Sequence, residues 1–170
     1  MAKLTIGKGM EKYISQLEKL NLNTPEVLGR AIYPAAAVVA NAVKANIEKI
    51  PVSNSSKRGT ASDPIDTITS SQKQGLRDGF GISKIRNDGG LYNVKLGFDG
   101  YNTTVSTTSK RAGWTNTRQA NQMIARAVEN GTSFRKKHPF VAPAIRATRG
   151  AAEKLMAEVL DEEIAKAMED

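Results

Sequence analysis

The chain has 170 residues, no cysteine, 5% aromatic residues and a formal net charge of +8. That length suits one domain with its own core, and the absence of cysteine excludes disulfides, thiolate metal sites and thiol nucleophiles. The first residues hold no apolar run of signal-peptide length, and no segment is long and apolar enough to span a membrane, so synthesis and use are expected in the cytoplasm or in a particle assembled there, with no membrane contact.

The first helix is predicted over residues 8–20, where Met10, Ile14 and Leu17 share a face. Thr24-Pro25-Glu26 starts a second helix: threonine caps, proline fits the first turn, and glutamate complements the positive end of the dipole. Leu28, Ile32, Ala35, Val39, Val43, Ile47 and Ile50 form its apolar stripe, and Pro51 stops it. Residues 51–74 are rich in Ser, Thr, Asn and Asp and read as a long loop, mobile in the free protein. The period then changes to two. Phe80 and Ile82, then Tyr92, Val94, Leu96 and Phe98, alternate with smaller or polar residues around the turn chemistry of Asn87-Asp88-Gly89-Gly90, which predicts a β-hairpin. Val105 centres a third strand over 103–107, and residues 103–117 form a second mobile polar loop. Residues 118–130 read as a helix with Met123, Ile124, Ala127 and Val128 on its apolar face, closed by Asn130-Gly131. An irregular basic connector over 132–142 leads to Pro143, which opens a final helix with Ile145, Ala152, Leu155, Met156, Val159, Leu160, Ile164 and Met168 on a broad apolar face. The expected fold class is α+β: a small antiparallel sheet, hairpin plus third strand, covered by four helices, as a single domain over 1–170.

No catalytic constellation converges in this pattern. The only histidine, His138, sits between Lys136-Lys137 and Pro139, with no second ligand for a metal and no carboxylate to orient it as a base. Asp161-Glu162-Glu163 occupies adjacent helical positions, which point in different directions and read as a solvated face. Gly7-Lys8-Gly9 lacks the spacing of a phosphate loop. The expectation is a protein that is not an enzyme and needs no cofactor or metal.

Charge is unevenly placed. From Thr104 to Gly150 the basic residues include Lys110, Arg111, Arg135, Lys136 and Lys137, and Glu129 is the single acid; from Ala151 onward acids dominate. Lys110-Arg111, with Trp114 nearby, and Arg135-Lys136-Lys137 form a basic patch able to contact phosphates, although no recognition helix, zinc module or ribonucleoprotein motif accompanies it. The alternative reading, from charge alone, is a basic DNA-binding accessory protein.

Two late segments carry a resemblance. Val128-Glu129-Asn130-Gly131-Thr132, then Pro139-Phe140-Val141-Ala142-Pro143-Ala144, resemble the valine–glutamate–x–glycine–threonine and proline–phenylalanine–x–x–proline–alanine segments of the HK97 gp10-like phage proteins, followed as in that family by a long C-terminal helix. The alanine-rich second helix, Gly75-Leu76-Arg77-Asp78-Gly79 ahead of a strand, and the strand ending at Gly97 are similar to other family features in the same order. The loops at 51–74 and 103–117 are longer than the family's connections, and Asn121 to Arg126 replaces its aromatic-rich approach to the glutamate. The resemblance implies a tail-completion or head–tail joining component that assembles in the host cytoplasm and resides in the virion. It implies a sixfold homo-oligomeric ring, with head-closure, tail-terminator and tail-tube proteins as partners and packaged DNA as a nonspecific contact. Glu129, Gly131, Thr132, Pro139, Phe140 and Pro143 are then the family-motif and interface candidates. Glu129 lies in the last turn of its helix, where the dipole disfavours an acid, so a cation from Arg126 or a neighbouring subunit is expected to hold it.

Overall fold

The computed structural model describes residues 2–5, 13–16, 24–54, 59–89, 91–106 and 117–169. The elements are β1 (Ala2–Thr5), α1 (Thr24–Glu48), α2 (Ser70–Gly79), β2 (Phe80–Ile82), β3 (Arg86–Asp88), β4 (Leu91–Phe98), β5 (Tyr101–Ser106), β6 (Thr117–Ala120), α3 (Asn121–Asn130) and α4 (Val141–Glu169). Residues 13–16 are also helical; the rest of the first predicted helix lies outside the described residues. Helices with small antiparallel sheets make this an α+β protein. Contacts divide the chain into two compact units: residues 1–42, 82–96 and 145–170 form the first, and 43–81 and 97–144 the second.

One sheet is ordered β1-β4-β2, and β3 also pairs with β4. Alternation in β4 buries Val94 and Leu96, and Gly89 at φ +64 closes its tight turn with β3, where Asp88 faces Leu91. Asn93 is also fully buried. Its Nδ2 donates to Asp88 Oδ2 at 2.9 Å, which ties the central strand back to the turn. β1 pairs with β4 from Ala2 opposite Leu96 to Thr5 opposite Asn93. Four residues are too few to display a strand period, so this strand is specified by its partner rather than by its own sequence. In α1, Leu28, Ile32, Ala35 and Val39 are buried, as are Ala152, Met156, Leu160 and Ile164 of α4. Met168, placed on the same apolar face by periodicity, is 73% exposed. Arg30 joins the two helices, donating to Glu26 and to Glu163, each at 2.7 Å. The Glu26 hydrogen bond first, and the Glu163 charge next, hold its guanidinium above its ordinary pKa.

In the second unit Val43 and Ile47 at the end of α1, and Ile50 just after it, are all buried. No basic residue lies in its last turn. Lys73 of α2 supplies the missing donor, reaching the carbonyls of Glu48 at 2.6 Å and Ile50 at 3.2 Å. The stretch read as a loop to Gln74 is shorter than expected, because α2 starts at Ser70. Thr69 and Gln72 form a capping box: Thr69 Oγ1 accepts from Gln72 N, and Gln72 Oε1 accepts from Thr69 N, both at 3.1 Å. Thr69→Ala is expected to cost about 1 kcal/mol in urea denaturation, the usual worth of such a cap. Ahead of it, Ser53 N donates to Ile68 O and Ile68 N to Pro51 O, so this connection is pinned to the end of α1.

The third predicted strand is present as β5, but it pairs with β6 in a separate two-stranded sheet instead of extending the hairpin. Because Thr117–Ala120 are used as strand, α3 begins at Asn121 rather than Arg118. Its phase follows from Asn121, which is buried with Ala125 and Val128 while Met123 is 66% exposed, reversing the inward placement of Met123. Asn121 lies against the glycine face of α2. A Cβ on Gly79 would strike the Asp99 carbonyl and come within 2.5 Å of Asn121 Nδ2, which itself donates to Asp99 O at 2.8 Å. Gly79 therefore terminates a helix against another segment's backbone. Gly79→Ala is expected to destabilise by about 1–3 kcal/mol, read as a lower denaturation midpoint, because a carbonyl cannot swing aside as a side chain can.

Candidate functional site

The six motif residues fall in the second unit, at the junction of α3, an irregular strap and α4. The strap begins where α3 ends. Gly131 has φ +74, a conformation that L side chains rarely adopt. His138 N donates to Val128 O at 2.9 Å, which folds the strap back along the last turn of α3. Between these points Thr132 and Arg135 exchange backbone hydrogen bonds across a tight reverse turn. Thr132 Oγ1 accepts from Phe134 N at 3.2 Å, and Phe134 at the tip is 59% exposed.

Among the described residues no cation holds Glu129. Its Oε2 accepts from Phe140 N at 2.7 Å and Val141 N at 2.9 Å, and its Oε1 accepts from Ala142 N at 2.9 Å. These are donors at the start of α4, which have no acceptor inside their own helix. The unfavourable position at the negative end of α3 is thus offset by the positive end of the next helix. Val141 opens α4, so Pro143 stands third in it, at a position whose N–H would have had no intrahelical acceptor anyway. Pro139 is exposed.

Phe140 is completely buried. Its ring meets Phe98 edge-on at 5.9 Å, and Phe98 in turn meets Phe80 at 4.9 Å. Asn46 Nδ2 donates to the Phe140 carbonyl at 3.1 Å. The strap is consequently fixed through side chain and backbone at the same residue.

The basic patch divides. The Arg135 guanidinium turns inward to the Thr67 carbonyl, and burial lowers its pKa from the ordinary arginine value. Beside it Ile65 N donates to Phe134 O and Lys136 N to Ile65 O, so Arg135 is a structural staple rather than a contact for an external phosphate. Lys136 and Lys137 are exposed. Lys110, Arg111 and Trp114 lie outside the described residues.

Among the described residues no group of three or more His, Cys, Asp or Glu is placed to hold a metal ion, and no helix is long and apolar enough to cross a membrane. Comparison with known protein families, characterised proteins and solved structures returns no match.

Periodicity passes over the buried polar side chains Gln72, Asn93, Asn102 and Asn121. For Gln72 a signal was present in Thr69-x-x-Gln72. Asn121, Asn93 and Asn102 stand in segments where asparagine reads as turn or surface chemistry.

Proposed function

We propose that this chain is a structural virion protein of a tailed phage or prophage, a tail-completion or neck subunit that joins tail to head as an oligomeric ring and has no catalytic centre of its own. The observation that carries the reading is the α3–strap–α4 junction. The two segments that resemble the HK97 gp10-like proteins are far from uniform in role, yet they meet in one hydrogen-bonded assembly, with Glu129 of the first capping the helix that the second begins. Such a junction is scaffold, and the surfaces it presents are the working parts. Phe134, Tyr101 and Met123 are large apolar side chains left 59–67% exposed in the same unit, a placement that suits contacts with other proteins better than a ligand cavity.

A ring forms when one patch binds a different patch on the next copy and the rotation closes. Sedimentation velocity and native mass spectrometry over a wide concentration range, with the chain alone and mixed with the proteins of neighbouring head-closure, tail-terminator and tail-tube genes, test this. A closed oligomer in at least one mixture is the expected result. A monomer in every mixture overturns the proposal.

A further inference from the structure

The net charge belongs almost entirely to one unit. Thirteen of the 25 basic residues and six of the 17 acidic ones lie in the second unit, which leaves the first nearly neutral. Most carboxylates of the second unit are engaged within the chain. Glu48 pairs with Arg77 and Lys73. Asp78 accepts from Gln74, and Asp99 Oδ1 accepts from Gly100 N. Asp63 is engaged within the chain, and Glu129 caps α4. Asp66 alone is exposed with no partner among the described residues. Arg126, Lys136 and Lys137 are exposed and meet no carboxylate among the described residues.

Lys136 and Lys137 are neighbours in the chain, and their strap folds back on the helix that carries Arg126. A Cβ on Gly131 would sit 3.1 Å from Lys137 N and 3.3 Å from its Cα, so the lysine backbone packs beside the end of α3. Arg126 stands five positions back on the exposed side of that helix, about 7.5 Å along its axis. We infer that this edge of the second unit, through Arg126, Lys136 and Lys137, binds the phosphate backbone of duplex DNA without reading sequence.

A second copy of the chain is the competing occupant, since α4 is acidic. Its carboxylates, however, have partners already: Glu153 with Arg149 at 2.8 Å, Glu158 with Lys154 at 3.5 Å, and Glu163 with Arg30 at 2.7 Å and Lys166 at 3.4 Å. Up to Met168, Asp161 and Glu162 are the acids of α4 left without a partner among the described residues. Duplex DNA offers a phosphate about every 1.7 Å of axis and releases condensed counterions when lysine or arginine neutralises them. The inference stands apart from the head–tail reading, and either can fail alone.

Fluorescence anisotropy of a labelled random-sequence duplex tests it. For three phosphate contacts, affinity should fall about fortyfold between 50 and 200 mM salt, from a log–log slope of roughly −0.9 per contact. K136E/K137E should bind at least tenfold more weakly at low salt, with a slope shallower by about 1.8. K136A/K137A, which adds no carboxylate, should show a smaller loss in the same direction, with circular dichroism confirming that both remain folded. K84E/R86E changes net charge by the same amount on exposed residues of the first unit and should stay within about threefold of wild type. The inference is overturned by absent wild-type binding at 50 mM salt, by unchanged binding in both lysine variants, or by an equal loss in K84E/R86E. Loss of self-association in K136E/K137E with DNA binding intact would overturn it too, and would assign the edge to a second copy.

Discussion

Glu129→Ala should lower the unfolding free energy by about 2–3 kcal/mol, because one side chain satisfies three backbone donors of the next helix. Charged acceptors make stronger bonds than neutral ones, and the Phe140 and Val141 amides are partly buried, so water replaces the carboxylate there only in part. Ala142 N is exposed and recovers most of its bond from solvent. Glu129→Gln keeps an acceptor oxygen and loses the charge, and about half the cost should remain. Urea denaturation gives the totals. Amide exchange locates them: protection of Phe140 and Val141 should fall well before that of mid-helix residues such as Leu160. A loss under 0.5 kcal/mol in the alanine variant, with exchange unchanged, would show that the cap contributes nothing to stability.

Phe140→Ala is expected to cost more, about 3–5 kcal/mol, the range for deleting a fully buried phenylalanine. The void would open beside Phe98, and the edge-to-face contact at 5.9 Å would go with it. For a chain of this size that is a fall in melting temperature of roughly 10 °C. Phe140→Leu keeps most of the volume and should lose about 1.5 kcal/mol or less. Glu129 accepts from the backbone of the same residue whose ring is removed, so the two effects should not add. A double-mutant cycle of Glu129→Ala with Phe140→Ala should give a coupling of at least 0.5 kcal/mol. Strict additivity would mean that strap docking and helix capping are separate events.

How much of this is legible in the sequence depends on which force specifies each element. The stripe that runs along α1 to Ile50 is legible, since Leu28, Ile32, Ala35, Val39, Val43, Ile47 and Ile50 are all buried, with Val27 and Ala31 buried beside it; a long helix repeats its signal many times. The β3–β4 turn was readable because Asn87-Asp88-Gly89 is local chemistry. What escaped was set by partners distant in sequence. β1 exists through β4, and β6 through β5. The phase of α3 is set by an asparagine wedged against two glycines of α2, a constraint invisible to hydrophobic periodicity. At the junction the importance of Glu129 was visible as an anomaly, an acid at the wrong end of a helix. Its resolution was not, since the compensating charge is the start of another helix rather than a side chain. Arg135 and Lys136 are neighbours of identical charge, yet one is drawn to a buried carbonyl and the other left in solvent.

The division of the chain bears on the order in which the molecule can be completed. Everything the second unit contains has been translated once Ala144 is made, whereas the first unit still awaits its final third, residues 145–170. On a ribosome, then, the earliest-made segment, including β1 and most of α1, waits through the synthesis of the whole intervening stretch before its last partner arrives. Glu129 precedes α4 in the chain, so the acceptor for the first turn of that helix has already been synthesised when the turn itself is made.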